Sequence, residues 1–164
     1  MATTDARNGF LWNATTGTLL HTLTGHHGLI SDIAFSPDGR EVVTASFDHD
    51  ARTWDVASGR LLHVLRGHFF PVYSAAFSPD GDWVVTASQF TAGLWSSATG
   101  QLVEYLRGPT NPLTEAAFSS DGTSVLASSR DEIVWRANCE VCRDIQGLER
   151  TAQHDLNQLS RRHR

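Results

Sequence analysis

Four tryptophans divide the chain into near-equal lengths: Trp12, Trp54, Trp95 and Trp135 stand 42, 41 and 40 residues apart. A period of this kind marks one supersecondary unit used repeatedly, each copy burying its faces against its neighbours. Other positions keep phase with the tryptophans. Gly17, Gly59 and Gly100 each follow a Trp by five residues, and Gly25, Gly67 and Gly108 follow those by eight. Ten residues further on, Phe35 and Phe77 open Phe-Ser-Pro-Asp-Gly, and Phe118 opens Phe-Ser-Ser-Asp-Gly.

Within one period the pattern reads as four short strands. In the second unit these are Leu61 to Leu65, Val72 to Phe77, Val84 to Ser88 and Ala92 to Trp95, separated by Gly-rich or Pro-Asp-Gly turns. Pro79 presets φ, and Asp80 and Gly81 supply turn geometry that β-branched residues resist, so an antiparallel meander is expected. The run Gly25-His26, Phe35-Ser36-Pro37-Asp38-Gly39, Thr44-Ala45-Ser46, Asp48 and Trp54-Asp55 resembles a WD repeat. The likeness extends over residues 5 to 136 and implies an all-β fold. Three four-stranded antiparallel blades and an orphan N-terminal strand around Trp12 would form an incomplete β-propeller. The units fall near residues 5–17 (partial), 18–59, 60–100 and 101–136. From 137 to 164 the pattern turns helical, with Val141, Ile145, Leu148, Ala152, Leu156 and Leu159 forming one apolar stripe.

His26, Ser46 and Asp48 contain the side chains of a hydrolytic triad, and a small hydrolase is the alternative reading. No Gly-x-Ser-x-Gly elbow accompanies them. In WD repeats the matching residues resemble a structural tetrad, a buried hydrogen-bonded chain of Trp, Ser or Thr, His and Asp. On that resemblance the first unit holds His26, Ser46, Asp48 and Trp54. The second keeps His68, Ser88 and Trp95, with Gln89 or Phe90 where Asp is expected. The third keeps Ser129, Asp131 and Trp135, with Pro109 where His is expected. The Ser-to-Trp spacing shrinks from eight to seven to six, which predicts progressively shorter turns before Trp95 and Trp135.

The net charge of −5 opposes tracking of phosphate backbones, so no nucleic acid is expected as a partner. No apolar run reaches the roughly 20 residues of a membrane helix, and no secretory leader is visible, so no membrane partner and a cytoplasmic location are expected. All 13 basic residues are Arg, a bias of high-GC coding that is most often bacterial. Cys139 and Cys142 form a lone Cys-x-x-Cys pair without two further ligands at zinc spacing, and no motif calls for a cofactor. Packing, a reversible disulfide and a metal remain the readings of that pair.

The expected function is a non-catalytic scaffold for protein–protein interaction. WD-repeat proteins are similar in docking partners on a disc face, through loops entering the innermost strand and the turn before the third. Carried to this chain, those positions hold His27-Gly28-Leu29, Phe69-Phe70-Pro71 and Thr110-Asn111-Pro112. Phe69, Phe70, Tyr73, Phe47 and Phe90 map to that face and are the expected partner contacts, with packing of Phe69 and Phe70 into space left by the degenerate neighbouring blade as the alternative. The pattern opens in mid-unit. The expectation is therefore a piece of a larger propeller, or an open fan that self-associates into a ring, with a non-functional remnant of a truncated gene as a further alternative.

Overall fold

A computed structural model of the chain describes residues 1–107, 112–129 and 134–138. All regular structure among the described residues is β. The strands are β1 (Ala2–Thr4), β2 (Gly9–Trp12), β3 (Leu19–Leu23), β4 (Ile30–Phe35), β5 (Glu41–Ser46), β6 (Asp50–Asp55) and β7 (Leu61–Arg66). They continue with β8 (Val72–Phe77), β9 (Trp83–Ser88), β10 (Thr91–Ser96), β11 (Leu102–Arg107), β12 (Leu113–Phe118), β13 (Ser124–Ser129) and β14 (Val134–Asn138). They pair antiparallel into β1-β2-β3, β4-β5-β6-β7, β8-β9-β10-β11 and β12-β13-β14, here called the N-terminal, first, second and third blades.

Blade and sequence unit are one strand out of phase. Each unit gives its first strand to the preceding sheet, so β3 belongs with β1 and β2 although it opens the unit 18–59. The expected orphan strand around Trp12 is therefore one of a three-stranded sheet. Its partner β1, with Ala2 opposite Leu11, was not legible because Ala-Thr-Thr carries no apolar alternation.

The middle strands of the central blades are buried on both faces, which explains runs such as Trp83-Val-Val-Thr-Ala-Ser88 in place of strict alternation. Blades stack face to face. Val43, Leu65, Val72, Ala75 and Trp95 pack in one cluster between the first and second blades, and Val85, Leu106, Leu113, Ala116 and Val125 in another between the second and third. The first strands of neighbouring blades share no ladder, and side chains stitch them instead. Ala75 N–H donates to Asp32 Oδ2 at 3.1 Å, Ser31 Oγ to the Val72 carbonyl at 2.7 Å, and Ala116 N–H to Ser74 Oγ at 2.9 Å. A bulge between Ile30 and Asp32, Val72 and Ser74, and Leu113 and Glu115 sets up this geometry once per blade.

The turns before the third strands depart from expectation in one blade. Three residues join β5 to β6 and two join β9 to β10, so the turn before Trp95 is one residue shorter than that before Trp54, as the spacing predicts. In the third blade the register of the described strands carries no shortening. Val42 pairs with Trp54 and Val84 with Trp95, but Val125 pairs with Ala137, and Trp135 stands opposite Ala127. The third blade thus keeps the register of the first, and Trp135 lies two residues early along its strand. Equating Trp135 with Trp54 is corrected accordingly.

β14 runs to Asn138, two residues into the segment expected to be helical. The rest of that expected helix, with Cys139 and Cys142, lies outside the described residues. Among the described residues no helix is long and apolar enough to cross a membrane.

Candidate functional site

In the first blade a hydrogen-bonded chain runs from strand to turn. Trp54 Nε1–H donates to Thr44 Oγ1 at 2.9 Å, Thr44 Oγ1 lies 2.8 Å from His26 Nε2, and His26 Nδ1 lies 2.8 Å from Asp48 Oδ2. A carboxylate only accepts, so Nδ1 carries the imidazole proton and Thr44 donates to Nε2. The alternative acceptor for the Thr44 hydroxyl, the Arg52 carbonyl, is farther away at 3.4 Å. Asp48 also accepts the His27 N–H at 2.9 Å. Burial opposes ionisation of Asp48, but the hydrogen bonds from the His27 backbone and the His26 ring outweigh it and hold the carboxyl at about 2. Desolvation draws His26 below its ordinary value against the pull of Asp48, so the ring is neutral.

The hydroxyl in this chain is that of Thr44. The assignment of Ser46 is corrected: its side chain is buried one pleat further on and accepts the Asp48 N–H at 3.1 Å. The same correction holds in the second blade, where Trp95 Nε1 and His68 Nε2 meet Thr86 Oγ1 at 2.8 and 2.7 Å, and Ser88 donates to the carbonyls of Phe70 and Pro71. Ser129, opposite Leu113, shares the register of Ser46 opposite Ile30 and Ser88 opposite Val72. The third-blade counterpart of Thr44 is Ala127, which has no hydroxyl. Asp131 and Pro109 lie outside the described residues. In the N-terminal blade Trp12 Nε1–H donates to Thr3 Oγ1 at 2.8 Å, an equivalent that the sequence reading missed. The available signal was a Thr nine or ten residues before a Trp, at Thr3, Thr44 and Thr86.

This geometry removes the triad reading of His26, Ser46 and Asp48. Both imidazole nitrogens are engaged, Nε2 by Thr44 and Nδ1 by Asp48, which leaves no base for a Ser46 nucleophile. Among the described residues no three His, Cys, Asp or Glu side chains are grouped to hold a metal ion.

The second blade has no counterpart of Asp48, because its two-residue turn holds Gln89 and Phe90 only. His68 is 8 % exposed, its Nδ1 has no hydrogen-bond partner among the described residues, and burial pushes the ring down to about 4. The space left by the shorter turn is partly filled by Phe70. Its counterpart in the first blade is Gly28, where a Cβ would lie 2.5 Å from the Asp48 nitrogen. A side chain is thus impossible at 28 without moving the turn, and the residue missing after Ser88 makes one possible at 70. What remains is a cavity of about 200 Å³ lined by His68, Phe69, Phe70, Phe90 and Tyr105 among others.

The rings expected on the partner face are accessible. Phe69 is 87 % exposed, and Phe47, Phe70 and Phe90 are each exposed. Phe70 meets Phe90 edge to face at 5.9 Å, and Phe47 meets the half-buried Tyr73 at 5.7 Å. Leu29, in the sister loop of the first blade, is exposed beside them. Other exposed apolar residues, Leu19-Leu20, Leu61-Leu62 and Leu102-Val103, recur in every unit on the last strand of a blade. Among the described residues the aromatic cluster does not recur.

The family model described as WD domain, G-beta repeat, matches residues 17–55, 59–96 and 100–135. Ribosome assembly protein 4 of Saccharomyces cerevisiae is 51% identical over 41 residues, 24% of this chain and 8% of that protein. Periodic tryptophan protein 2 homolog of Neurospora crassa is 42% identical over 48 residues, 29% of this chain and 5% of that protein. Each match is about one repeat long, so the chain spans only a small part of these relatives. With three consecutive repeats matched over well more than half its length, and the Trp–Thr–His–Asp chain closed in its first blade, the chain belongs to the WD-repeat family.

Proposed function

We propose that this chain is a non-catalytic docking module whose partner site is the face carrying Phe69, Phe70 and Phe90, extended by Phe47 and Tyr73. One observation carries the reading: large exposed rings gather on this face in a pattern that the repeat does not dictate. Features common to all units serve blade packing, whereas solvent-facing aromatics confined to one place need a separate reason. Burying an exposed Phe contributes on the order of 1.5–3 kcal/mol, so Phe69 and Phe70 suffice to anchor a moderate interface. The role named for the yeast relative is not carried over, since one matched repeat conveys the repeat alone.

In the same reading the partner is a protein, in the cytoplasm, with neither nucleic acid nor membrane as a target for a chain of net charge −5. The N-terminal and third blades, three-stranded among the described residues, are completed within a larger propeller or by self-association. The test compares capture of cellular partners by the wild-type chain, by Phe69→Ser/Phe70→Ser and by the rim control Leu61→Ser/Leu62→Ser. The face variant should lose its partner while keeping the wild-type circular dichroism and unfolding midpoint, and the rim variant should retain it. Loss only on the rim, or unfolding of the face variant, would return Phe69 and Phe70 to a packing role.

A further inference from the structure

The second blade lacks an acceptor that the first blade supplies. In the first blade two N–H groups converge on one carboxylate oxygen, His26 Nδ1 at 2.8 Å and the backbone of His27 at 2.9 Å. The second blade repeats both donors at the same register, as His68 Nδ1 and the Phe69 N–H, but supplies no carboxylate. In the tautomer where Thr86 donates to His68 Nε2 at 2.7 Å, its hydroxyl passes over the longer 3.4 Å contact to the Gly93 carbonyl. In that tautomer the proton of the neutral ring sits on Nδ1, the nitrogen corresponding to the one that faces Asp48 in the first blade, and an acceptor placed there selects it. His68 is one of the residues lining the cavity of about 200 Å³ under Phe69, Phe70 and Phe90, with its Nδ1 buried beneath that wall.

From this we infer that the cavity receives an Asp or Glu side chain of the docked partner, whose carboxylate accepts the His68 Nδ1–H and completes from outside the network that Asp48 completes from within. The inference rests on the docking reading above and names the chemistry of that site. An apolar occupant would leave the His68 donor buried and unpaired, whereas a carboxylate makes a charge-assisted bond in a site with little competing water. The surrounding rings select apolar neighbours for the acid, so the partner segment is an acidic residue flanked by hydrophobic ones. Bound carboxylate also returns His68 towards its ordinary pKa, from which burial alone has drawn it down to about 4.

The probe pair is 3-phenylpropionate and 3-phenylpropanamide, identical in shape but for the charged acceptor. Each is titrated into the wild-type chain carrying nitrogen-15 histidine, and the His68 ring signals are followed by NMR across pH. The acid should shift the His68 Nδ1 signal, raise the pH at which the ring titrates, and bind about tenfold or more tightly than the amide, the factor expected of one charge-assisted hydrogen bond. A variant with an Asp inserted between Gln89 and Phe90 and with Phe70→Gly should carry its own carboxylate and no longer bind the acid. Equal binding of acid and amide overturns the inference and leaves apolar docking standing. Failure of both to move His68 overturns it too, while partner capture by the Phe69 and Phe70 variants decides the docking reading separately.

Discussion

Replacing Thr44 with valine removes one oxygen from the middle of the first blade and leaves the side chain's shape intact. That oxygen is fully buried, accepts the Trp54 indole N–H at 2.9 Å and donates to His26 Nε2 at 2.8 Å. Valine does neither, and both partners are themselves buried, so two polar groups are orphaned together. At about 1–3 kcal/mol each, discounted because members of one network are not additive, Thr44→Val should cost about 2–5 kcal/mol. Ser46→Ala removes only the acceptor of the Asp48 N–H at 3.1 Å and should cost about 1 kcal/mol. Thr44→Ser keeps the oxygen and loses a methyl, again about 1 kcal/mol.

Urea unfolding of the three variants and the wild type, followed by tryptophan fluorescence, gives the order from the midpoints. Blades need not unfold together, so exchange of the Trp54 indole proton supplies a local measure, and it should accelerate most in Thr44→Val. If Ser46→Ala costs as much as Thr44→Val, or leaves the Trp54 proton equally unprotected, the serine carries the network and the assignment made from the hydrogen-bond geometry is wrong.

Acidification should weaken the fold in two stages. The His68 ring at about 4 and the Asp48 carboxyl at about 2 both lie below their ordinary values of 6.5 and 3.8, so the unfolded chain binds more protons in each window. Stability is then full above about pH 6.5, falls first between there and about 4, and again towards 2. His68→Gln should diminish the first stage in a pH series of urea midpoints, with the likewise lowered His26 supplying the remainder, and an unchanged first stage would contradict a buried neutral His68. At equivalent positions, Gly28→Ala should cost about 1–3 kcal/mol because its Cβ meets the Asp48 nitrogen at 2.5 Å. Phe70→Ala, at a half-open ring, should cost less than that. Equal thermal shifts for the pair would refute the coupling of turn length to residue 70. Ser74→Ala unpairs the Ala116 N–H between the second and third blades and should speed hydrogen exchange there, with the ladders inside each blade unaffected.

What was legible in the sequence was whatever the period repeats. Phased Trp, Gly and Phe residues reveal strand number, turn chemistry and family, because each recurs for the same local physical reason. The phase between unit and sheet was not legible, since no residue announces that β3 pairs backwards onto β2 and not forwards onto β4. The network hydroxyl was misassigned for a related reason. Thr44 and Ser46 point to the same side of their strand, two residues apart, and only the pairing of Val42 with Trp54 decides which of them lies under the indole. Trp135 misled in the same way. A spacing shortened by two residues reads equally as a smaller turn or as a tryptophan displaced along its strand, and the pairing of Val125 with Ala137 selects the second.

The departures in the second blade are coupled, and that coupling argues for a site in preference to decay. Relaxed constraint would remove the Asp, shorten the turn and alter the facing loop independently, and a lost carboxylate would leave a polar hole for water. Here the residue missing from the turn is matched by Phe70 where Gly28 stands in the first blade, and Phe70 packs edge to face on Phe90 from the shortened turn itself. His68, Thr86 and Trp95 keep their geometry to within about 0.1 Å of the first blade's distances. The short Thr86 hydrogen bond and ring contacts with Trp95 and Tyr105 hold the His68 pose without a carboxylate, at the cost of an unpaired Nδ1 that an apolar ring would not incur. Three elements of the network thus stay in place around an opening shaped by two aromatic rings. The blade's departure from the repeat consists of one missing acceptor and the means of admitting another.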